Sequence, residues 1–382
     1  MNAADFKNSP VGHLVGVEEE QWGYIPHDLP NEVALSSGII NRLDKASRAV
    51  AMLEGVGETL ANPHLLIQPF LRREAVLSSK IEGTQASISD LYRFEASFLR
   101  GATGDVKEVA NYVLALEHGL NRLKELPICI RLANEVHLSL LKGVRGEDKQ
   151  PGELRNLQVW IGTTNSPIQE ARFVPPPARL VPALMGSWEK FANAELEMPP
   201  LIQCCLLHYQ FETIHPYFDG NGRIGRLFIL LFLHAKEVLT TPLLYLSAYF
   251  ERHRDEYYDH LYNVSATGNW EPWMRFFLEG VATEASDALQ RSRRLRRLQD
   301  GYRDLLQQNH ESGNALQLVD NLFMRPYMTA SLASKTLSIS HAGARNILDR
   351  LASLGLLEML PNTWPRLYIA REIMECIEVS NP

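Results

Sequence analysis

The sequence has few cysteines, no long apolar run and little net charge. Its four cysteines, at positions 129, 204, 205 and 376, have neither metal-ligand spacing nor the pattern of a disulfide framework. The first residues lack the basic segment and apolar stretch of a secretory signal. The most apolar run, residues 227–233, is too short to cross a bilayer. We therefore expect a cytoplasmic protein that has no membrane partner.

The net charge of −7 over 382 residues is too small to draw nucleic acid or anionic lipid to the whole molecule. Hydrophobic residues make up 45% and charged residues 22%, which is the balance of a folded globular chain. A chain of this length exceeds what one hydrophobic core usually supports. The sequence therefore predicts two or three packed units.

Apolar residues recur at helical spacing over most of the chain, which predicts a mainly α-helical protein. The main exception before the middle of the chain is a short β-hairpin, predicted from residues 159–161 and 171–174 around the turn-forming cluster 162–167. A helix predicted over 199–214 leads directly into His215.

Four units follow from these patterns. Residues 1–104 are predicted as an N-terminal helical region, 105–285 as a helical core and 286–310 as a charged, solvated linker helix. Residues 311–382 show helices, a turn and a β-ribbon, which predicts a winged helix-turn-helix.

Catalytic chemistry concentrates in residues 215–226, which read HPYFDGNGRIGR. His215 precedes Pro216, which disfavours helical geometry and projects the imidazole from the end of the preceding helix. With an unperturbed pKa of about 6.5, a histidine is suited to take a proton from a hydroxyl at neutral pH. Asp219 can supply one carboxylate to Mg²⁺, and phosphate oxygens can complete the octahedral shell.

The same segment has the features of a polyphosphate site. Gly220 and Gly222 flank Asn221, a residue type that tolerates positive φ, so consecutive backbone N–H groups can converge on an anion. A helix predicted to begin at about Arg223 aims the positive end of its dipole at the same point. Arg223 and Arg226 lie three residues apart, so both can reach the phosphates. Each feature alone is more often structural, and only their ordered combination indicates a site.

The segment resembles the signature of the Fic family, His-Pro-Phe-x-Asp/Glu-Gly-Asn-Gly-Arg-x-x-Arg, and departs from it only where Tyr217 replaces phenylalanine. The chain is similar to the family from about residue 30 to residue 285, including the hairpin before the motif. The resemblance implies a Fic-type helical core in which the hairpin is a flap. It also implies transfer of AMP from ATP to a Ser, Thr or Tyr hydroxyl of a protein, with release of pyrophosphate.

The resemblance further implies the roles of individual residues. His215 would be the general base, Asp219 the Mg²⁺ ligand, and Arg223 and Arg226 the ligands of the β- and γ-phosphates. The implied nucleotide-binding residues are Glu82, Asp219, Gly220, Asn221, Gly222, Arg223, Ile224, Gly225, Arg226, Tyr257 and Tyr258.

Two of these assignments have competing structural interpretations. Tyr257 and Tyr258 would line the adenine pocket, but aromatic residues at such spacing are equally often part of a core. Phe173 and Val174 in the flap would align the target segment by strand addition. An ordinary apolar hairpin is the alternative.

Residues 78–83, SSKIEG, resemble the inhibitory signature Ser/Thr-x-x-x-Glu-Gly/Asn of part of the Fic family. Ser78 and Glu82 lie four residues apart on one helix face, and the resemblance implies that Glu82 pairs with Arg226 in place of the γ-phosphate. A glutamate before Gly83 is also common at an ordinary helix end. The resemblance leaves open whether Glu82 also aligns a water that removes AMP, whether the target is another protein or the chain itself, and whether the chain forms a homodimer.

A zinc hydrolase is a second reading of the motif region. His208, Glu212 and His215 lie at i, i+4 and i+7, on one helical face. No His-Glu-x-x-His element is present, and Pro216 would disturb the geometry at the third ligand.

A DNA-binding regulator that works through its C-terminal unit is a third hypothesis. Ser340, His341, Arg345 and Asn346 would lie on its recognition helix. A protein-interaction or dimerisation unit is the alternative and is favoured slightly, because Asp349 and Glu358 dilute the positive charge.

Overall fold

The computed structural model describes residues 1–17, 21–58, 64–97, 103–162 and 167–378. Of the predicted hairpin turn at 162–167, residues 163–166 lie outside the described residues. Helices dominate the described part, as the sequence predicts. Among these residues no helix has both the length and the apolar character that a membrane span requires.

The chain opens with elements that the sequence did not predict. A short helix α1 (Ala3–Phe6) precedes strands β1 (Gly12–Gly16) and β2 (Trp22–Pro26), which pair antiparallel with Gly12 opposite Pro26. Glycine and proline in these strands weaken the alternation that normally marks a strand in the sequence. The prediction of a helical region over residues 1–104 is therefore wrong where β1 and β2 lie.

Three helices form the rest of the N-terminal region: α2 (Ser37–Glu58), α3 (His64–Ile81) and α4 (Ile88–Ser97). They agree with the helical spacing of apolar residues in the predicted N-terminal helical region. Gly83 follows α3 with φ of +95°, a conformation that favours glycine. Glu82 therefore lies at the end of a helix.

The core contains the helices α5 (Gly104–Arg122), α6 (Ile130–Leu141), α7 (Val181–Asn193), α8 (Pro200–Ile214), α9 (Asn221–Ala235), α10 (Ser247–Arg252) and α11 (Arg254–Thr267). Nearly every residue of α8 and α9 is buried, which explains why their sequences are apolar on all sides. These two helices pack against each other, and the loop between them carries residues 215–220. The motif therefore lies at the centre of the core.

One continuous helix, α12 (Trp270–Gln308), crosses the predicted boundary between core and linker. Our expectation of a solvated linker is wrong for its inner face, where Leu295, Tyr302 and Leu306 are buried. Arg291 is buried too and donates to the carbonyl of Ile377 at 2.7 Å. In the sequence, the arginine-rich stretch 291–297 obscured the helical spacing of these apolar residues. The unit boundaries themselves stay predictions.

The C-terminal unit contains α13 (Gly313–Met324), β3 (Tyr327–Thr329), α14 (Ala330–Leu337), α15 (His341–Ser353), β4 (Glu358–Met359), β5 (Leu367–Ile369) and α16 (Arg371–Glu378). The strands form an antiparallel sheet in the order β3-β5-β4. Thr329 caps α14, because its hydroxyl accepts from the Leu332 amide at 3.2 Å. The unit packs on α3 and α4, where Tyr327 stacks on Tyr92.

Candidate active site

His215 directly follows α8, as the sequence predicts. Its backbone is left-handed, with φ 51° and ψ 63°, a conformation that is uncommon for non-glycine residues and typical of helix C-termini. The His215 amide still donates to the Phe211 carbonyl at 3.0 Å and closes the last helical turn. Pro216 then prevents the helix from continuing, so the chain leaves α8 sharply at this histidine.

The His215 imidazole is neutral at pH 7. Its Nδ1 atom is buried and has no hydrogen-bond partner among the described residues. Burial, followed by the charge of Arg155, lowers the pKa of His215 to about 4, against smaller opposing effects of the Glu212 carbonyl and Glu82. A neutral imidazole is the form that accepts a proton, so the group is in the state a general base requires.

Arg155 was not identified by the sequence analysis, although it touches the backbone of His215. Its Nε donates to the His215 carbonyl at 2.8 Å, and its side chain is almost completely buried. It lies before the predicted hairpin, where no motif marked it.

His137 of α6 holds the loop that carries Asp219. Its Nε2 lies 3.0 Å from the Asp219 carbonyl oxygen, and its Nδ1 accepts from the Gly152 amide at 2.8 Å. The ring stacks on Tyr217 with centroids 3.8 Å apart. Burial lowers the pKa of His137 to about 4, so the ring is neutral and its Nε2 proton is donated to the loop. No sequence motif marks this histidine either.

The glycine-rich segment differs in detail from the predicted nest. Helix α9 begins at Asn221 rather than at about Arg223, and in this segment only Gly220 has positive φ, 78°. The Asn221 side chain accepts from the amide of Tyr217 and donates to its carbonyl, both at 2.8 Å, so it closes the loop. Gly222 is helical. The first turn of α9 has no side-chain cap, which leaves a helix N-terminus of the kind that binds anions.

Arg226 and the end of α3 make the contact that the inhibitory signature implies. The Arg226 Nη2 atom lies 2.7 Å from Glu82 Oε1 and 2.9 Å from the Ser78 carbonyl, and Nε donates to the Ser78 hydroxyl at 3.0 Å. Burial alone would raise the pKa of Glu82, but Arg226 outweighs it and the pKa is lowered. The pair is therefore ionised at neutral pH. A Cβ on Gly222 would lie 2.3 Å from Glu82 Oε1, so a larger residue there would force the Glu82 carboxylate to move.

Arg223 has a different partner. Its Nη1 donates to Glu108 of α5 at 3.2 Å, and Nη2 lies 3.5 Å from Asp219. The Arg223 Nε atom is buried and has no partner among the described residues. Both motif arginines are thus held by carboxylates, but the sequence singled out only Glu82. Glu108 gave no signal, because it lies among other polar residues of α5, such as Asp105 and Lys107, and matches no motif.

Glu212 lies one turn before His215 and next to the Arg226 contact. A Cβ on Gly225 would approach its Oε1 to 2.2 Å, and this oxygen has no partner in the described part of the chain. Burial, with a contribution from Glu82 and against the charge of Arg226, raises the pKa of Glu212 to about 7. This carboxyl therefore gains and loses a proton near neutral pH.

Three of the implied nucleotide-binding residues are buried in the core. Ile224 and Tyr257 are completely buried, and the Tyr257 hydroxyl lies 2.8 Å from His208 Nε2. Gly225 offers its carbonyl to His208 Nδ1 at 3.2 Å. Tyr258 is only partly buried, with Arg254 over its ring. Of the tyrosine pair, Tyr258 is the one with an accessible face, and Tyr257 matches the core interpretation.

In the described part of the flap, the antiparallel pairing consists of the bridge between Ile161 and Phe173. The opposite edge of the Phe173 strand is also paired, because the Tyr24 amide donates to the Val174 carbonyl at 2.9 Å. Phe6 packs against the rings of Tyr24 and Phe173, with centroids 5.4 and 5.9 Å apart. The N-terminal hairpin thus lies along the strand that the sequence assigns to target binding.

The zinc hypothesis is not supported by the geometry. Both ring nitrogens of His208 have partners, the Gly225 carbonyl and the Tyr257 hydroxyl. His215 leaves the helix in a left-handed conformation and so leaves the face that the hypothesis requires. In the part of the chain that the structure describes, no three His, Cys, Asp or Glu residues form a metal cluster.

We expect His137 to make the free energy of unfolding depend on pH. Its pKa of about 4 in the folded protein lies below the unfolded value of about 6.5, so the unfolded chain binds a proton that the folded chain does not. This contribution to stability is complete above pH 6.5 and is lost as the pH falls towards 4. His137→Gln should reduce the slope of unfolding free energy against pH in that range by about 1.4 kcal/mol per pH unit. Urea denaturation of both proteins at several pH values measures it, and parallel slopes would contradict the assignment.

Comparison with known families places two matches on this chain. Residues 40–121 match the family model described as Fic/DOC family N-terminal, and residues 127–233 match the model described as Fic/DOC family. Two relatives named "Protein adenylyltransferase Fic" are similar to part of the chain. That of Culex quinquefasciatus is 31% identical over 152 residues, and that of Drosophila ananassae is 28% identical over 177 residues. The matches cover 38% and 45% of this chain, but only 26% and 32% of the relatives' own lengths.

Solved structures agree in fold. A Fic family protein from Desulfovibrio desulfuricans G20 superposes with a TM-score of 0.56 at 20% identity, covering 88% of this chain and 97% of its own. A single-substitution variant of Fic-1 from C. elegans superposes with a TM-score of 0.51 at 22% identity, covering 66% of this chain and 73% of its own. The helical architecture around the motif is therefore a Fic fold.

Proposed function

We propose that this chain, which contains the two Fic/DOC family domains, is a protein adenylyltransferase that moves AMP from ATP to a Ser, Thr or Tyr hydroxyl. The observation that carries the proposal is the loop between α8 and α9. There a neutral His215 is followed within one short segment by an uncapped helix N-terminus and two buried arginines. This combination fits a base beside a polyphosphate. The relatives' printed name supports AMP as the transferred group.

In the proposed reaction the target hydroxyl oxygen attacks the α-phosphorus of ATP. The bond from that phosphorus to the bridging oxygen breaks, and pyrophosphate leaves. His215 takes the hydroxyl proton and later releases it to water. A pKa of about 4 makes a weak base, but the negative charge of bound phosphates would raise it toward the working pH. The protein mainly supplies position and charge neutralisation, as in phosphoryl transfer generally.

The residues around Asp219 fit Mg²⁺. The Asp219 side chain is 35% exposed, and its Oδ1 accepts a hydrogen bond from the Gly220 amide. A Cβ on Gly146 would lie 2.9 Å from Asp219 Oδ2, so the glycine leaves space beside this oxygen. A single carboxylate is enough where phosphates supply the other oxygens. A bound ion would neutralise charge that develops on the phosphates.

The contact of Glu82 with Arg226 represents the restrained form of the proposed enzyme. It occupies the arginine that would bind the γ-phosphate, so nucleotide would bind without the alignment that transfer requires. Removal of AMP from a modified protein with the help of Glu82 is compatible with the same contact.

The direct test of the proposal is mass spectrometry of the protein and of added candidate targets after incubation with ATP and Mg²⁺. We expect a mass increase of one AMP per modified hydroxyl, on the chain itself or on a target. A mass increase of one phosphate, or no modification by any variant, would contradict it.

Asp219→Asn should lower AMP transfer by about 10²-fold, because it removes the proposed ion's only protein carboxylate. Asp148→Asn is the matched control, since Asp148 is an exposed carboxylate of the neighbouring segment. Initial rates across a series of Mg²⁺ concentrations test this. We expect Asp219→Asn to require more Mg²⁺ and the control to behave as wild type. Equal Mg²⁺ dependence in all three proteins would rule Asp219 out as the ligand.

A protein target would bind along the flap in this proposal. Because Tyr24 already occupies the edge at Val174, a target strand would either displace the N-terminal hairpin or pair at the other side, along residues 159–161. A homodimer remains compatible with the proposal.

A second candidate function belongs to the C-terminal unit, which we propose is a winged helix-turn-helix. Helices α14 and α15 pack together, and Trp364, between β4 and β5, is 93% exposed. Arg345 on α15 lies 3.7 Å from Asp349, which offsets its charge and favours a protein partner over DNA. Titration of the full chain with duplex DNA at low and high salt separates the two. Salt-dependent binding that is lost in Arg345→Ala would favour DNA.

A further inference from the structure

The Arg155 side chain joins the proposed general base to both ends of the flap, which we define here as residues 158–175. From one buried guanidinium, Nη1 donates to the Leu157 carbonyl at 3.1 Å, and Nη2 donates to the Pro176 carbonyl at 2.6 Å. These carbonyls stand immediately before and after the flap. The two chain ends of the flap are therefore held by the same group.

The same guanidinium also holds the end of α8. Nε donates to the His215 carbonyl at 2.8 Å, and Nη2 lies 3.3 Å from the Ile214 carbonyl. The Arg155 amide adds a fifth contact, to the Pro216 carbonyl at 2.9 Å. These four hydrogen bonds fix the orientation of each carbonyl as well as its distance from the guanidinium, because guanidinium N–H bonds point in fixed directions.

Arg155 is an unusual buried charge. Its side chain is 2% exposed, and none of the described residues brings a carboxylate within salt-bridge distance of it. Burying an arginine without an anionic partner is costly, and here backbone carbonyls alone compensate it. A residue needed only to fill space would not require this charge. The left-handed backbone of His215 costs some free energy, as at the other non-glycine residues of this chain with positive φ, and the Arg155 Nε atom holds its carbonyl.

We propose that Arg155 is a positioning residue for the general base: its guanidinium fixes the His215 backbone in its left-handed conformation and locks the flap to it. One guanidinium then determines both the position of the flap, which aligns the target, and the position of the base that takes the proton. This inference rests on the proposed function for its catalytic consequence, but not for its effect on His215.

The positive charge of Arg155 also acts on the imidazole. The charged side chains that act on His215 are Arg155, which precedes the flap, and Glu82 at the end of α3, and the Glu212 carbonyl faces it from its own helix. Removing the charge of Arg155 should make protonation of His215 easier, whereas removing a mere packing contact should not.

The experiment compares Arg155→Met, which keeps volume without charge, and Arg155→Lys, which keeps charge without the planar fork. Arg179→Met is the control, because Arg179 is an exposed arginine just after the flap. The first readout is the titration of the His215 ring by NMR, with the signal assigned from a His215→Gln protein. We expect Arg155→Met to raise the midpoint by about one pH unit, Arg155→Lys to raise it less, and the control to leave it in place.

The second readout is AMP transfer, measured in a Glu82→Gly background so that the restraint is absent. Both Arg155 variants should lower kcat by about 10²-fold while ATP affinity stays unchanged, since misplacement of the base affects the reaction and not nucleotide binding. If Arg155→Met does not fold, Arg155→Lys carries the kinetic test. A folded Arg155→Met protein with an unmoved His215 midpoint, or either variant with an unchanged kcat, would overturn the inference. If no protein transfers AMP, the proposed function fails, and the titration still decides the role of Arg155.

Discussion

Glu82→Gly should raise AMP transfer by about 10²-fold or more, since a single preorganised donor to a charged transition state contributes about this much. The substitution frees Arg226, whose Nη2 lies 2.7 Å from Glu82 Oε1. Glu82 follows the last residue of α3 and precedes Gly83. A glycine at position 82 therefore does not interrupt the helix. Ser78 would still hold the Arg226 Nε atom and keep the arginine near its present place. Initial rates with radiolabelled ATP give the ratio directly.

Two further variants separate the charge of Glu82 from its size. Glu82→Gln keeps the shape but weakens the pairing with Arg226, so we expect an intermediate rate. Glu251→Gln is the matched control: Glu251 pairs with Lys80 of α3, 2.8 Å away, and does not touch Arg226. Equal rates in wild type and Glu82→Gly would refute the restraint, as would an equal gain in Glu251→Gln.

His215→Ala should lower AMP transfer by about 10²- to 10⁴-fold, the usual contribution of a general base. The comparison belongs in the Glu82→Gly background, where the starting rate is high enough to measure the loss. The proposed role is proton transfer, so ATP affinity should change little, and the loss should appear in kcat.

His118→Ala is the control for that loss, because His118 is an exposed histidine of α5 far along the sequence from the motif. We expect it to keep full activity. If His215→Ala retained activity in the unrestrained background, another group would have to be the base. Glu212, with its pKa raised to about 7 and its place one turn earlier, would be the first to examine.

Apolar spacing, a proline and a family resemblance each predicted a feature that the structure contains. The mainly helical chain, its exit from α8 at His215 and the pairing of Glu82 with Arg226 were all expected and are found. The first two follow from apolar periodicity and from proline. The third came only from resemblance to a family, because no local pattern links two residues 144 positions apart.

Residues that act through backbone contacts escaped the sequence analysis. Arg155 and His137 hold carbonyl oxygens of the motif loop, and such contacts place no demand on neighbouring residue types. Glu108 was missed for a related reason, because one of several charged residues in an amphipathic helix has no signature that links it to Arg223. The N-terminal hairpin was missed because glycine and proline obscure its alternation. Tertiary contacts decide each of these cases.

The central claim is that the segment around His215 transfers AMP and that Glu82 restrains it. The most direct measurement incubates wild type, Glu82→Gly and the double variant Glu82→Gly with His215→Ala with ATP labelled at the α-phosphate or, separately, at the γ-phosphate. We predict that protein retains label only from α-labelled ATP, weakly in wild type, strongly in Glu82→Gly and not in the double variant. Retention of the γ-label would identify phosphorylation and contradict the claim, and strong α-labelling of the double variant would remove His215 from the mechanism.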